Sequence, residues 1–442
     1  MELPLFVEQF HDPSFFAPNY NQCITQLMPS MIQLLDIPVS GNILPRTLID
    51  RDSEYDISIN LMIDSLGFKQ WQDLHNRIKP DFFDLYDKLS GFALSSVFPT
   101  ITSTGITSYH TGHKPIEHGI LGHRMNLPEV GTIVDTLRIG SSDPRDIFMP
   151  DSFYRVGINP QAWLFRPNKL YHEFEEHGGI RVEISHLGIH KTGLSHFFRT
   201  YSKQEHLYGR TTVIDAFSTA KRTVKKLIST RQKGLLNIYF AELDNASHLY
   251  GSRSSNYFRE MQQILDAFQW FVQELPAKKI LVSITGDHGQ TSIDPNNTIK
   301  DLSTHLPHAS LLYNTGRVLH CHTDEPELLY DELIALFQDK AAIVDLPTSL
   351  KLLGGKEGIS PLIRDKVRER IGDFQVLCKS GYNVSMRESP IDDLMSSNNN
   401  SKEEPFLKRE LLASHGSLTL DELIVPALIA DANEFKIVLN KE

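Results

Sequence analysis

The feature that most constrains this chain is a series of strongly apolar, strand-like runs whose ends carry metal-binding side chains. Asp64 closes ISINLMID and Thr102 follows ALSSVFPTI. Asp244 and His248 come with the run LLNIYFAEL, Asp287 and His288 follow KKILVSITG, and His415 stands in SHGSLTLDELIVP. An Asp at a strand end is in itself an ordinary turn or capping residue. The spacings Asp-x-x-x-His and Asp-His, both beside hydrophobic runs, add weight that a lone Asp lacks. Open α/β sheets build their sites from side chains collected at the carboxyl ends of neighbouring strands. Three Asp and three His, divided between two ions, suit a pair of zinc-like cations, and a hydroxyl between them would be an activated nucleophile for phosphoryl-type transfer.

The order of elements gives the fold class. A strand over 57–64 is followed by a helix through FKQWQDLHNRI, a strand over 92–98 and a helix over TSTGITSYHTG that ends at Gly112. From about Val213 to Ser229 a helix leads into LLNIYFAEL, and a helix over NYFREMQQILDAFQWFVQEL leads into KKILVSIT. Strand, long helix, strand is the rhythm of parallel βαβ units. The same alternation continues through RVLHCH, ELLYDELIALFQ, AAIVDL, SPLIRDKVRERI and FQVLC. The expected architecture is α/β, a doubly wound, mostly parallel sheet flanked by helices. Residues 1–55, punctuated by Pro13, Pro18, Pro29, Pro38 and Pro45, read as an amino-terminal extension. Residues 56–125 and 213–442 read as the catalytic core, and 126–212 as an inserted cap region. That insert is rich in aromatics (among them Phe148, Phe153, Trp163, Tyr171 and Phe198), which could line a substrate pocket or pack a small core of their own. The polar, low-complexity run 391–405 is the expected mobile loop.

Composition limits partners and setting. A net charge of −11 over 442 residues argues against tight binding to a nucleic-acid backbone. Three widely spaced cysteines, Cys23, Cys321 and Cys378, form no disulfide framework and no CxxC site. The first residues, MELPLFVEQFHDPSFF, lack a basic segment and an unbroken apolar core, so a signal peptide is not expected. No stretch approaches the roughly 20 apolar residues that span a bilayer. These features point to a cytoplasmic enzyme with no membrane attachment and a small charged substrate; the oligomeric state is open.

Thr100, Ser103 and Thr104 share the hydroxyl chemistry of Thr102, and a Ser/Thr cluster at a helix start is also ordinary capping. A helix start also presents N–H groups and positive dipole to an anion. The choice among the hydroxyls comes from a resemblance. FPTITSTGITSYHTGHKPIEHGILG is similar to the nucleophile motif of type I phosphodiesterases and nucleotide pyrophosphatases, a branch of the alkaline phosphatase superfamily. Its Thr111-Gly112 and Pro115…His118-Gly119 fall where that family has Thr-Gly and Pro-x-x-His-Gly. ELDNASHLYG resembles the family's Asp-x-x-x-His-x-x-Gly, TGDHGQT its Asp-His-Gly-Met-Thr, and SHGSLTLDELIVP its late His-Gly segment. The likeness runs from about residue 57 to 430 in the right order.

The resemblance implies an alkaline-phosphatase-like fold and two divalent ions, zinc by preference with manganese or iron as other occupants. It assigns Asp64, Asp287, His288 and the Thr102 oxygen to one ion, and Asp244, His248 and His415 to the other. It also implies cleavage of phosphodiester or pyrophosphate bonds in nucleotide-like substrates through a phospho-threonine intermediate. Two departures stand out. Asp64-Ser65 replaces the family's usual Asp-Gly, and GILGHRM puts His123 and Arg124 where many members carry a phosphoryl-binding Asn. His123 or Arg124 could donate in its place, or both could only brace the loop. The alternatives are a phosphomonoesterase, a phosphonate hydrolase, a sulfatase (which lacks its Cys or Ser at position 102), or a domain that binds a phosphorylated ligand without turnover.

Overall fold

The computed structural model describes residues 6–49, 54–74, 85–142, 150–199, 205–386 and 411–439. Phe148 and the run 391–405, singled out above, lie outside the described residues. A seven-stranded sheet forms the centre, in the spatial order Phe92–Ser95, Ile424–Asp431, Ile280–Thr285, Ile57–Ile63, Gly234–Phe240, Ile180–His186, Glu205–Arg210. Only Ile424–Asp431 runs against its neighbours. Ile280–Thr285, Ile57–Ile63, Gly234–Phe240, Ile180–His186 and Glu205–Arg210 pair in parallel, with Ile57 level with both Gly234 and Ile280. Every residue of Ile57–Ile63 and of Ile280–Thr285 is buried, as strands covered on both faces by helices require.

The crossover helices show why the chain folds this way. Val213–Thr230 is capped by Thr212, whose side chain accepts from Asp215 N, and buries Phe217, Ala220, Val224 and Leu227 along one stripe. Ser255–Gln273 is capped by Ser254 and buries Phe258, Met261, Ile264, Leu265, Phe268 and Val272. Both helices match the sequence expectation and join strands of the parallel sheet.

Two expectations about organisation change. Strands Ile180–His186 and Glu205–Arg210 pair side by side at the edge of the central sheet. The segment 126–212 is therefore not wholly a cap: its second half extends the core sheet. Its first half joins Arg124–Leu127, Thr132–Asp135 and Gly140–Ser141 into a small antiparallel sheet. Trp163, Tyr171, Phe174 and Phe197 are buried at 1 % exposure or less in the main core. The second change concerns the later strand–helix alternation. Leu311–Thr315, Val318–His322, Phe374–Cys378 and Ala341–Asp345 form a separate four-stranded sheet with antiparallel pairing throughout. This lobe has its own small core around Leu319, Leu329, Leu333, Phe337 and Val376. Among the described residues no helix is long and apolar enough to cross a membrane.

Candidate active site and metal centre

Every segment singled out in the sequence reaches one edge of the central sheet. Asp64 is the first residue past Ile57–Ile63, and Asp287 and His288 lie just past Ile280–Thr285. Asp244 and His248 sit on the helix Glu242–Tyr250, where a separation of four places both on one face. Thr102 is the first residue of Thr102–Thr111, a helix that ends at Gly112 with a φ of 70°. His415 precedes Ile424–Asp431. Because that strand alone is antiparallel, its start lies at the carboxyl edge of its neighbours, and His415 arrives beside them.

The ligand atoms fall into two groups, Asp64, Asp287 and His288 in one and Asp244, His248 and His415 in the other, each within 4.8 Å. In the first, His288 Nε2 lies 3.6 Å from Asp64 Oδ1 and 3.4 Å from Asp287 Oδ2. In the second, Asp244 Oδ1 lies 3.3 Å from His248 Nε2 and 3.5 Å from His415 Nε2. The groups adjoin, since the His288 and His415 rings stack with centroids 3.9 Å apart. Thr102 Oγ1 is 3.1 Å from His288 Nε2 and 3.5 Å from Asp64 Oδ2. The rival hydroxyl of Thr100 instead donates to Ser417 O, while those of Ser103 and Thr104 are buried without a partner.

The donor set fits divalent cations for three structural reasons. First, the three imidazoles face backbone carbonyls with Nδ1: His248 to Ala413 O at 2.8 Å, His415 to Thr100 O at 2.8 Å and His288 to Gly289 O at 3.1 Å. That contact places the ring proton on Nδ1 and leaves each Nε2 lone pair aimed into the site, the usual outer support of a metal-binding imidazole. Second, Asp287 Oδ2 is buried without a hydrogen-bond donor. Third, three carboxylates crowd a buried space. Burial, with Asp287 and Asp244 close by, pushes the Asp64 carboxyl well above its usual range. Burial also raises Asp287, against the pull of His288. At Asp244 burial is outweighed by His248, His415 and His288, which hold the carboxyl below the usual range.

Ser65, noted above only as a departure, contributes to the frame. Its φ of 63° explains why glycine is common at such a turn. Its hydroxyl donates to Asp244 Oδ1 at 2.8 Å and its amide to Asp287 Oδ1 at 3.1 Å, so one residue orients an acid from each group. Gln290 donates to the same Asp244 oxygen at 2.5 Å, and Tyr239 donates to Asp64 Oδ2. Neither was singled out in the sequence, although Gln290 stands within the TGDHGQT motif.

The loop that carries His415 is held from two sides. Gly416 N donates to Thr100 Oγ1 at 2.9 Å, and Arg317 N donates to His415 O at 2.9 Å. A Cβ on Gly316, whose φ is 53°, would lie 2.1 Å from His415 O. Gly316→Ala is therefore expected to cost more than about 1 kcal/mol in urea unfolding and to weaken metal binding by shifting His415. Unchanged stability and metal content in that variant would show that the loop can yield.

A cavity of about 730 Å³ opens over this edge and is lined by Asp64, Thr102, Asp244, His248 and His415. His123 and Arg124 also line it, from the start of Arg124–Leu127. His123 Nε2 lies 3.8 Å from Asp135 Oδ1, and burial lowers its imidazole pKa against the opposing pull of Asp135. Of the aromatics expected at the substrate, Phe198 lines the cavity, while Phe153 and Trp163 pack edge to face elsewhere. The lining also includes Leu137, Arg138, residues between Gly188 and Leu194, and Asn314 and Thr315 of the four-stranded lobe.

The family model for type I phosphodiesterase / nucleotide pyrophosphatase matches residues 59–417. Among solved structures, phosphonoacetate hydrolase from Sinorhizobium meliloti 1021, in complex with phosphonoformate, is 15 % identical with a TM-score of 0.58, over 91 % of this chain and 98 % of that one. Murine ectonucleotide pyrophosphatase / phosphodiesterase 5 is 14 % identical with a TM-score of 0.55, over 85 % of this chain and 87 % of that one. It has also been solved as an inactive variant in complex with AMP. The human counterpart is 15 % identical with a TM-score of 0.55, over 87 % of this chain and 94 % of that one. At these identities the likeness bears on the fold. No curated protein matches the sequence.

Proposed function

From the premise that this chain belongs to the type I phosphodiesterase / nucleotide pyrophosphatase family, and is thus a phosphoric diester hydrolase, we propose a phospho-threonine mechanism at a two-metal site. The observation that carries it is the placement of Thr102 Oγ1 beside one Asp/Asp/His group, with an Asp/His/His group stacked against the first. Asp64, Asp287 and His288 would hold one divalent ion and Asp244, His248 and His415 the other. When bound, the ions would lower the pKa of the Thr102 hydroxyl and offset charge on the phosphoryl oxygens. Thr102 Oγ1 attacks phosphorus as the bond to the leaving ester oxygen breaks, and water then releases the phosphoryl group from the threonine. His123 and Arg124, on the cavity wall, donate to the phosphoryl oxygens. The mixed Asp/His donors favour zinc, with manganese or iron able to occupy the same set.

A small phosphorylated substrate of nucleotide-like size fits the cavity volume, since roughly 300–1,000 Å³ is usual for such ligands. AMP bound by the murine protein supports this class. A substrate as small as phosphonoacetate would leave most of the cavity empty. The three cysteines are buried and free, which suits a reducing cytoplasm.

Protein purified without chelator is expected to carry two equivalents of transition metal by elemental analysis. It should hydrolyse bis-p-nitrophenyl phosphate faster than p-nitrophenyl phosphate or phosphonoacetate. One equivalent of metal, or preference for the monoester, would overturn the two-metal diesterase reading.

A further inference from the structure

One side of the cavity, around Arg181, Glu183 and Asn237, is left unused by the chemistry above. Register sets Asn60 level with Asn237, and Asn237 level with Glu183. These three therefore share one face of the central sheet, with Arg181 two residues before Glu183 and Tyr239 two residues after Asn237. In a sheet covered on both sides such a face is normally apolar. Here it carries a hydrogen-bonded row. Ser283 donates to Asn60 Oδ1 at 2.8 Å, Asn60 to Asn237 Oδ1 at 3.1 Å, and Asn237 to Glu183 Oε1 at 2.7 Å. Arg181 Nε donates to the same Glu183 oxygen at 2.8 Å.

The row stops one partner short. Both donors reach Oε1, and among the described residues Glu183 Oε2 has none. The Arg181 side chain is 1 % exposed, whereas that of Glu183 is 18 % exposed, and Glu183 lines the cavity that Thr102 also lines. The row is otherwise paired, so the one acceptor it leaves open toward the cavity is available to a ligand's donor. Charge limits the ligand further. Arg181 is ion-paired with Glu183 and stacks 4.1 Å from the Tyr171 ring, so Glu183 faces a ligand as a paired carboxylate and not as a lone anion calling for a cation. The walls, Met62, Ile106, Tyr109 and Phe198, accept a carbon skeleton. An alkyl chain would bury the open oxygen with no donor at all.

We propose that this side of the cavity is a subsite for a neutral, hydroxyl-bearing ester group of the substrate, a sugar or polyol, with Glu183 Oε2 accepting from one of its hydroxyls. The inference rests on the diesterase reading and names one of the two ester groups.

The test uses p-nitrophenyl glycerol phosphate and p-nitrophenyl propyl phosphate, which release the same product and differ in the hydroxyls. The wild-type protein should favour the glycerol ester by about 10-fold or more in kcat/KM, chiefly through KM. Glu183→Gln keeps an acceptor for Arg181 and Asn237 but turns the open oxygen into an amide N–H₂ group, and should cut that ratio by about 10-fold. A wild-type ratio near one, or a ratio unchanged in Glu183→Gln, would overturn the proposal. If the wild-type protein turned over neither ester, the diesterase reading would fail instead. The subsite would then be read from melting temperature, where glycerol 1-phosphate should stabilise the wild-type protein more than propyl phosphate does and Glu183→Gln should erase the difference. Equal stabilisation by the two ligands would overturn it by that route.

Discussion

Thr102→Ala should lower kcat for bis-p-nitrophenyl phosphate by at least about 10³-fold, some 4 kcal/mol of transition-state stabilisation, with both metals retained. Metal retention is expected because Asp64, Asp287 and His288 remain as one set of three ligands and Asp244, His248 and His415 as the other. Thr102→Ser should keep measurable turnover, since a primary hydroxyl at the same helix start can form the same ester bond. A mechanism in which water attacks phosphorus directly gives a different result. There the threonine supplies at most one hydrogen bond, and its loss costs roughly 10-fold, or about 1.4 kcal/mol. Rates with Thr102→Ala, beside elemental analysis of the same preparation, separate the two. A loss of only about 10-fold with metal in place would reject the covalent mechanism and the role given to this hydroxyl.

The meeting of the candidate site's side chains was more legible than the topology. Asp64, Asp244, Asp287 and their histidines could be read because each is tied to an apolar run of strand length, and the parallel strands bring such ends to one edge. His415 could be read as a member of the set, but not from a preceding strand, since it comes ahead of the antiparallel strand Ile424–Asp431. The segment 126–212 and the later lobe were harder for a different reason. Periodicity says that Val318–His322 or Ile180–His186 is a strand, yet it does not say which strand lies beside it. The first pairs within an antiparallel lobe and the second joins the central sheet. Rhythm alone therefore merged the lobe with the core and separated the sheet edge from it. Ser65 was visible as an oddity at a glycine-like turn, but its contacts to Asp244 and Asp287 depend on three distant segments meeting. Asn60 and Asn237 stood in plain view as polar residues inside ISINLMI and LLNIYF. Their meaning depends on register, which places them beside Glu183.

Arg317→Met should destabilise the protein by about 3–5 kcal/mol in urea unfolding, the usual cost of leaving a buried charge without its partner. Arg317 and Glu422 are both 0 % exposed, with Nη1 donating to Oε2 at 2.6 Å. The guanidinium also donates to Tyr382 O and Cys378 O, each at 3.0 Å, and to Lys379 O. Glu422 in turn accepts from Ser417 N at 3.1 Å and from the Thr419 hydroxyl at 2.6 Å. The pair thus joins the four-stranded lobe to the loop that presents His415. Removing the arginine alone strands the carboxylate on the helix Leu420–Leu423 that follows that loop, so the loss should reach the Asp244/His248/His415 group and spare the Asp64/Asp287/His288 group. Metal content should fall toward one equivalent before the fold is lost. Combining Arg317→Met with Glu422→Leu removes both charges and should recover part of the stability, since a buried pair replaced by apolar groups is often near neutral. The Ser417 and Thr419 bonds go unreplaced in the double variant, so recovery of the second metal should be incomplete. If Arg317→Met lost neither stability nor metal, the lobe would be held by its apolar contacts, and His415 would be positioned by Thr100 and by the backbone N–H of residue 317.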